Sequence, residues 1–251
     1  LFKSIESIKE SFCYLFVGHW MKGSFGHDRK NVGVLVKEFY ETFQNIKGNK
    51  PALILKASTG TSSYISREEI LNKISKIKRS IKSKNLPNIY LLHGDFTDEE
   101  MNELYNNSKV KAMVSTTKGE GFGRPLLEFS TTGKPIIASG WSGHTDFLNP
   151  SFTTLLKGRL ENVHPSVAND WLIAESKWFQ VDVPHLKSSL KTTYKKYKTH
   201  LLKSKQQKQY VKTNFSWEKM HSLIHGILDD EKKVPKIAKQ VELNLPKLKK
   251  V

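Results

Sequence analysis

The sequence predicts an α/β protein built on a doubly wound parallel sheet. Apolar runs of strand length alternate with amphipathic segments of helix length from residue 12 to about residue 156. This alternation is typical of βαβ units, in which helices join parallel strands. Hydrophobic residues make up 37% of the 251 residues and charged residues 26%, a composition that supports a packed core.

The strands and helices are predicted in chain order. Residues 1–11 space Phe2, Ile5 and Ile8 at helical intervals, which predicts a short amphipathic helix or linker. Six strands are predicted, over 12–18, 51–57, 88–93, 110–115, 135–139 and 152–156. Four helices are predicted between them, over 31–46, 67–83, 97–106 and 124–132. Sheets of this class bind ligands beyond the carboxyl ends of their strands, so the loops that follow each strand are candidates for a site.

The pattern changes after residue 160. Residues 161–182 contain Trp171 and Trp178 without a clear periodicity, and we expect an irregular, partly buried excursion. Residues 183–212 predict one long basic helix, and 216–228 predict an amphipathic helix with Ser216 as its N-cap. Residues 230–251 predict a basic tail.

The chain is strongly basic, with 41 Lys and Arg against 24 Asp and Glu and a net charge of +17. Two runs contain no acidic residue, Ile70–Gly94 and Val183–Trp217. Solvated helix faces explain this pattern, and so does a surface for an anionic partner such as nucleic acid or anionic lipid. Both explanations are compatible with the sequence.

Location and completeness are predicted from simple features. No run approaches the ~18 apolar residues of a membrane span, and Cys13 has no second cysteine to pair with. We therefore expect a cytoplasmic, reducing setting. The chain begins with Leu1, and its first methionine follows the first strand, so we expect a missing N-terminal part.

The segment Lys118–Asp146 carries the main chemical signal. Three glycines, at positions 119, 121 and 123, precede a helix that begins near Arg124 and Pro125. Glycines before a helix let a ligand approach backbone N–H groups. Glu120 lies in this loop and Glu128 lies one turn into the helix, and two carboxylates suit hydrogen bonding to the vicinal hydroxyls of a ribose and a hexose. The pattern alone also allows a chance arrangement of glycines and acids.

A family resemblance adds to this interpretation. The run EGFGRPLLE from Glu120 to Glu128, followed by TGKPIIA at 132–138, resembles the E-x7-E signature of retaining GT-B glycosyltransferases of group 1 type. The first strand, the segment His93–Tyr105 and the FSWE sequence at 215–218 resemble other parts of the same C-terminal domain. The resemblance implies a Rossmann-like, nucleotide-sugar-binding domain over 12–229, one half of a GT-B fold. It also implies an absent N-terminal domain that binds the acceptor.

The resemblance implies roles for the two carboxylates. Glu120 would hydrogen-bond the transferred sugar, helped by backbone N–H groups of the loop, which contains Gly121 and continues through Phe122, Gly123 and Arg124. Glu128 would hold the ribose hydroxyls. Arg124 stands where the family usually has an apolar residue.

A basic pair is implied for the leaving diphosphate. Arg29 and Lys30 open a helix at about the place where the family has such a pair, and Lys56 is a weaker candidate. The loop that contains Gly143 and His144 would approach the phosphates. His19 stands where the family often has an arginine.

We expect no cofactor and no metal ion, since the chain has no Asp-x-Asp sequence and Cys13 is not in ligand spacing with a set of five histidines, His19, His27, His93, His144 and His164. The function predicted from the resemblance is retaining transfer of a sugar from a nucleoside diphosphate sugar. Nucleic acid, a lipid-linked sugar and a polysaccharide are candidate acceptors. An epimerase or phosphorylase is a less favoured alternative, and a basic module that binds a polyanion without catalysis is another.

Overall fold

The computed structural model describes residues 5–231 except 22, 24 and 171. In this part of the chain the strands are β1 (Cys13–His19), β2 (Ala52–Ser58), β3 (Ile89–Leu92), β4 (Val110–Ser115), β5 (Ile136–Ser139), β6 (Thr154–Leu156), β7 (Gly158–Asn162) and β8 (Lys177–Val181). The α-helices are α1 (Val32–Phe43), α2 (Tyr64–Ser80), α3 (Asp98–Asn106), α4 (Arg124–Ser130), α5 (Val183–Lys195), α6 (Tyr197–Asn214) and α7 (Trp217–Glu231).

Strands β1 to β6 form one parallel sheet in the order β3-β2-β1-β4-β5-β6. The chain moves outward from β1 to β3, crosses back to β4 on the other side of β1, and moves outward again to β6. Right-handed crossovers place α1 and α2 on one face of the sheet and α3 and α4 on the other. This topology confirms the predicted doubly wound α/β fold.

The core lies where the central strands are covered on both faces. Strands β1, β2 and β4 bury most of their side chains, as expected for parallel strands between helical layers. Helix α1 packs on them through Leu35, Phe39 and Phe43, which are at most 1% exposed. It also contacts α2 and α5, one on each side. This packing fixes the N-terminal end of α1 at the carboxyl end of β1.

The predicted irregular excursion over 161–182 is wrong in part, because its ends form strands. Strands β7 and β8 pair antiparallel, with Leu160 opposite Phe179. The sequence pattern does not predict this hairpin, because β7, with the sequence GRLEN, is mostly exposed and lacks apolar alternation. Trp178, Phe179 and Val181 of β8 are buried.

The predicted single helix over 183–212 is also wrong, since two helices, α5 and α6, occupy this range. The helical backbone is interrupted at Lys196, which has φ −112° and ψ 36°. Neither glycine nor proline marks this position, so the sequence pattern gives no signal for the break.

The chain divides into two compact units, Leu1–Lys212 and Thr213–Val251. In the second unit, α7 confirms the predicted helix over 216–228, and the Ser216 hydroxyl accepts a hydrogen bond from the Lys219 N–H at 3.2 Å. Residues 1–4 of the predicted first helix, Trp171, and 232–251 of the predicted tail lie outside the described residues. None of the described helices is both long enough and apolar enough to cross a membrane.

We predict that Phe39→Ala lowers the free energy of unfolding by about 3–5 kcal/mol, because it leaves a cavity between α1 and the sheet. Urea unfolding followed by circular dichroism measures this loss. Lys76→Ala on the exposed face of α2 is the control and should change stability by no more than about 0.5 kcal/mol. Equal losses in the two variants would contradict the placement of α1 in the core.

Candidate active site

The candidate active site lies where the loops after β1 and β4 meet. The backbone N–H of Lys118 donates to the carbonyl of Arg29 at 2.8 Å, and the Thr116 hydroxyl donates to the carbonyl of Asn31 at 3.2 Å. Asp28 is 2% exposed, and its carboxylate accepts a hydrogen bond from the first N–H of α1 at 2.9 Å. These contacts bring the predicted basic pair beside the glycine-rich loop, although about ninety residues separate them in sequence.

Arg29, Lys30 and Glu120 form one ionic cluster. The Lys30 ammonium donates to Glu120 Oε1, and Arg29 Nη1 lies 3.4 Å from Glu120 Oε2. Arg29 Nη1 also donates to the Gly119 carbonyl at 2.8 Å. The side chains of Lys30 and Glu120 are only 10% and 9% exposed, whereas that of Arg29 is 45% exposed. The cluster thus has a buried pair and one cation at its open edge.

Burial and ion pairing shift the pKa values of Lys30 and Glu120 in opposite directions. Burial lowers the pKa of the Lys30 ammonium from its ordinary value, although the neighbouring Glu120 carboxylate opposes this change. Burial acts to raise the pKa of the Glu120 carboxyl, but Lys30 and Arg29 outweigh it, and this pKa is lowered. The carboxylate is therefore ionised at neutral pH and depends on its cations for compensation.

The loop after β5 holds the backbone of Glu120 in place. The Ser142 hydroxyl donates to the Glu120 carbonyl at 2.6 Å and accepts from the Glu120 N–H at 3.0 Å. The Gly143 N–H donates to the same carbonyl at 3.0 Å. Gly143 thus lies in the candidate site together with Ser142, which has φ 82°.

Two glycines permit the close approach of these loops. A Cβ on Gly143 would lie 2.0 Å from the Gly121 carbonyl oxygen. This distance is too short for two non-bonded atoms, and a backbone oxygen cannot move aside as the end of a side chain can. Gly123 has φ 91°, and a Cβ there would lie 2.9 Å from His144 Cβ. These positions explain why glycine occurs at both places, apart from any role toward a ligand.

Buried polar atoms without protein partners occur at the same end of the sheet. Among the described residues, these include both amide atoms of Asn31, the Ser139 hydroxyl and His144 Nδ1. His144 is fully buried, its Nε2 lies 2.6 Å from the Ser139 carbonyl, and burial lowers the pKa of its imidazole. Unpaired buried polar groups are costly, and a polar ligand is one means of satisfying them.

Glu128 lies in a different setting from Glu120. Its carboxylate accepts from the Tyr105 hydroxyl at 3.2 Å and pairs with Arg124 Nε at 3.1 Å. Its side chain is 40% exposed and that of Arg124 is 78% exposed. Helices α3 and α4 therefore present an accessible carboxylate with a phenolic partner. Phe122, in the loop before α4, is 48% exposed and packs against Phe147.

Lys56 is not part of the ionic cluster. Its ammonium donates to the Gly94 carbonyl at 2.6 Å and lies 4.3 Å from the centre of the Phe96 ring. It therefore joins the ends of β2 and β3. His19 Nδ1 lies 2.8 Å from the Ser58 hydroxyl, again beside the end of β2.

Lys118 is a structural part of the site to which the sequence analysis assigned no role. It is 1% exposed, its ammonium donates to Gln180 Oε1, and it lies 4.8 Å from the centre of the Trp178 ring. Its carbonyl accepts from the Phe179 N–H at 2.9 Å. The β7–β8 hairpin is thereby attached to the residue that precedes Gly119 and Glu120. A lysine next to a glycine-rich loop was the only available signal.

Metal ligands are not grouped in this region. Among residues 5–231, leaving out 22, 24 and 171, no three His, Cys, Asp or Glu side chains are arranged to hold a metal ion.

Comparison with known proteins relates this site to a family of transferases. Residues 71–161 match the family model described as glycosyl transferases group 1. The matched range contains Glu120, Glu128, Gly143 and His144, whereas Arg29 and Lys30 precede it. No curated protein matches the chain.

Solved structures share the fold at low sequence identity. A glycosyltransferase from Rickettsia africae is 17% identical, with a TM-score of 0.60 over 93% of this chain and 51% of that chain. The C-terminal domain of LpcC, a glycosyl transferase group 1 family protein from Francisella tularensis, is 12% identical, with a TM-score of 0.57 over 85% of this chain and 91% of that one. Anabaena HepE in complex with UDP is 12% identical, with a TM-score of 0.61 over 91% and 51%.

The chain therefore spans about half the length of the Rickettsia and Anabaena proteins and most of the Francisella domain. These similarities confirm the predicted Rossmann-like domain as one half of a GT-B fold.

We predict that Glu120→Gln lowers the free energy of unfolding by about 3–5 kcal/mol at pH 7, because Lys30 stays buried without a counter-charge. Adding Lys30→Met should recover part of this loss, since the unpaired charge is then removed. Urea unfolding of the two single variants and the double variant measures the coupling. Glu128→Gln is the matched control, and its exposed ion pair should contribute less than about 1 kcal/mol.

The same variant predicts a pH dependence. The pKa of Glu120 is lowered in the folded protein, so its stabilising effect is complete above the ordinary value of 4.5 and is lost as pH falls through the lowered pKa. The stability difference between the natural chain and Glu120→Gln should therefore stay constant near neutral pH and shrink in acid. A difference that grows in acid would contradict the ion pair.

Proposed function

We propose that this chain is the donor-binding half of a glycosyltransferase that moves a sugar from a nucleoside diphosphate sugar to an acceptor with retention of configuration. The supporting observation is the cluster of Arg29, Lys30 and Glu120 at the point where strand order reverses. Doubly wound sheets bind nucleotides at this point. The match of 71–161 to group 1 glycosyl transferases supports the same function.

The ionic cluster suits a substrate that carries a diphosphate next to a sugar. The diphosphate would compete with Glu120 for Lys30 and Arg29, because it brings negative charge to the same cations. Glu120 would then be free to accept hydrogen bonds from hydroxyls of the transferred sugar. Negative charge on the diphosphate grows as the glycosidic bond breaks, and preorganised cations stabilise that charge most when it is fully developed.

Glu128 suits the ribose of the donor. A carboxylate accepts hydrogen bonds from two vicinal hydroxyls, and Glu128 is accessible on the α3–α4 side of the cluster. The Tyr105 hydroxyl orients this carboxylate by donating a hydrogen bond to Glu128 Oε2. Anabaena HepE has been solved with UDP-glucose, which supports a nucleotide sugar as the ligand of this fold.

In this proposal the anomeric configuration is retained because the acceptor oxygen attacks the anomeric carbon on the same face from which the diphosphate departs. The bond from the anomeric carbon to the phosphate oxygen breaks, and the bond to the acceptor oxygen forms on the same side. The acceptor proton passes to an oxygen of the departing phosphate. Glu120 positions the sugar in this scheme, unlike the acid and base carboxylates of a glycoside hydrolase. The basic pair, with neighbouring Gly143 and His144, is assigned to the phosphates, and no metal or cofactor is invoked.

Binding of a polyanion without catalysis is a second candidate function. Seven lysines of 183–212 are exposed, namely Lys191, Lys195, Lys196, Lys198, Lys203, Lys205 and Lys212, and this range contains no acidic residue. Such a surface attracts nucleic acid with a strong dependence on salt. Salt-sensitive DNA binding together with no binding of a nucleotide sugar would favour this function over transfer.

We predict different effects for the two glutamates in the protein that contains the acceptor-binding half. Glu128→Ala should weaken nucleotide binding about tenfold to a hundredfold, because a charged hydrogen-bond acceptor is lost. Glu120→Ala should lower kcat by about 10²–10³ with a smaller effect on nucleotide affinity, because its contacts are to the sugar. Calorimetry and release of nucleoside diphosphate from the donor measure the two quantities.

Glu103→Ala, an exposed carboxylate on α3, is the control and should leave both quantities unchanged. Equal and small effects of Glu120→Ala and Glu128→Ala would contradict the assigned roles.

A further inference from the structure

A cavity of about 600 Å³ opens next to Arg29, and the site described above does not use it. Its lining combines the loop after β1, the end of β2, the start of α2, and the segment between β7 and β8. Arg29 belongs both to this lining and to the ionic cluster. The volume lies within the range of about 300–1,000 Å³ that small-molecule pockets occupy.

The cavity and Glu128 are formed by different elements around the ionic cluster. Glu128 and its partner Tyr105 belong to α4 and α3, which pack on one face of the sheet. The cavity is lined by Met21 before α1 and by Glu69 on α2, and these helices pack on the other face. Glu128 and Glu120, the residues proposed to hold the ribose and the sugar of the donor, are not part of the cavity lining.

The segment between β7 and β8 that lines the cavity is attached to the loops after β1 and β4. The rings of His27 and His164 stack with their centres 3.8 Å apart, which joins the loop after β1 to the segment after β7. The backbone N–H of Phe179 in β8 donates a hydrogen bond to the Lys118 carbonyl. The Phe179 ring lies nearly parallel to the Trp141 ring, with the ring centres 6.5 Å apart. The segment between β7 and β8 is therefore held relative to Arg29 by contacts at His164, just after β7, and at Phe179 in β8.

The lining has the mixed character that saccharides require. Met21 and Leu172 supply apolar surface for the C–H faces of a sugar ring, whereas Trp178, which also lines the cavity, is only 6% exposed. Thr59 and Glu69 supply polar groups at the rim, where Glu69 also pairs with Lys73 at 2.8 Å. Arg29 is the basic residue of the lining and also belongs to the ionic cluster. One carboxylate and one guanidinium in the lining suit a neutral occupant with many hydroxyls better than a polyanion.

We propose that this cavity binds the acceptor as a saccharide, so that the β7–β8 hairpin of the donor-binding half contributes an acceptor subsite. The proposal rests on the proposed function, because it takes the transferred sugar to lie at Glu120. A hydroxyl of a saccharide in the cavity reaches the reacting carbon from the side of Arg29, on which the departing phosphate also lies.

The test uses ligand-observed NMR with the 251-residue chain and a panel of glucose, galactose, N-acetylglucosamine, maltose and cellobiose. Ala168→Phe and Leu172→Trp fill the cavity from its wall, and Asn162→Phe adds the same bulk at an exposed position of β7 outside it. At least one saccharide should bind the natural chain and Asn162→Phe. Its affinity should fall at least about tenfold in both cavity variants.

Binding of UDP, GDP and ADP to every variant distinguishes this proposal from the proposed function. Nucleotide binding without saccharide binding, or saccharide affinity that is equal in all variants, would overturn the acceptor subsite alone. Saccharide binding to a chain that binds no nucleotide would contradict the proposed function and with it the acceptor role. A single-stranded oligonucleotide that binds in place of every saccharide, and is lost in the cavity variants, would also overturn the assignment.

Discussion

The position of β1 between β2 and β4 is the constraint on which the site depends. Because the chain leaves β1 in one direction and returns on its other side, the loops after β1 and β4 lie side by side at the carboxyl end of the sheet, where folds of this class have their ligand-binding crevice. The α1 helix, held by Phe39 and Phe43 in the core, fixes the preceding residues Arg29 and Lys30 at this crevice. The loop after β4 carries Glu120 to the same place. The buried ion pair is thus a product of strand order, not of proximity in sequence.

The ion pair also explains how a charged crevice is stable without substrate. Glu120 and Lys30 are each costly to bury alone, and together they neutralise one another with Arg29 at the open edge. A diphosphate that takes over the cations meets Lys30 and Arg29 already held in place by Glu120, so the cations need not be assembled on binding. Preorganised groups of this kind stabilise charge without reorganisation during a reaction.

Much of the sheet could be predicted from the sequence because its strands are buried on both faces and therefore apolar. Glu120 and Glu128 could be identified because one segment carries both. The partnership of Lys30 with Glu120 could not be derived from the pattern, since it depends on strand order, and only a resemblance indicated the basic pair. The β7–β8 hairpin was missed because β7 is polar, although its partner strand anchors Lys118 beneath the site. Local periodicity carries no information about such contacts.

The most direct test of the central claim is binding of UDP, GDP and ADP to this chain by thermal shift, with Lys30→Met measured in parallel. The account predicts that at least one nucleoside diphosphate raises the Tm of the natural chain and that this increase is lost in Lys30→Met. An increase that survives in Lys30→Met would place the diphosphate elsewhere. No increase with any of the three nucleotides would contradict a donor site formed by this chain.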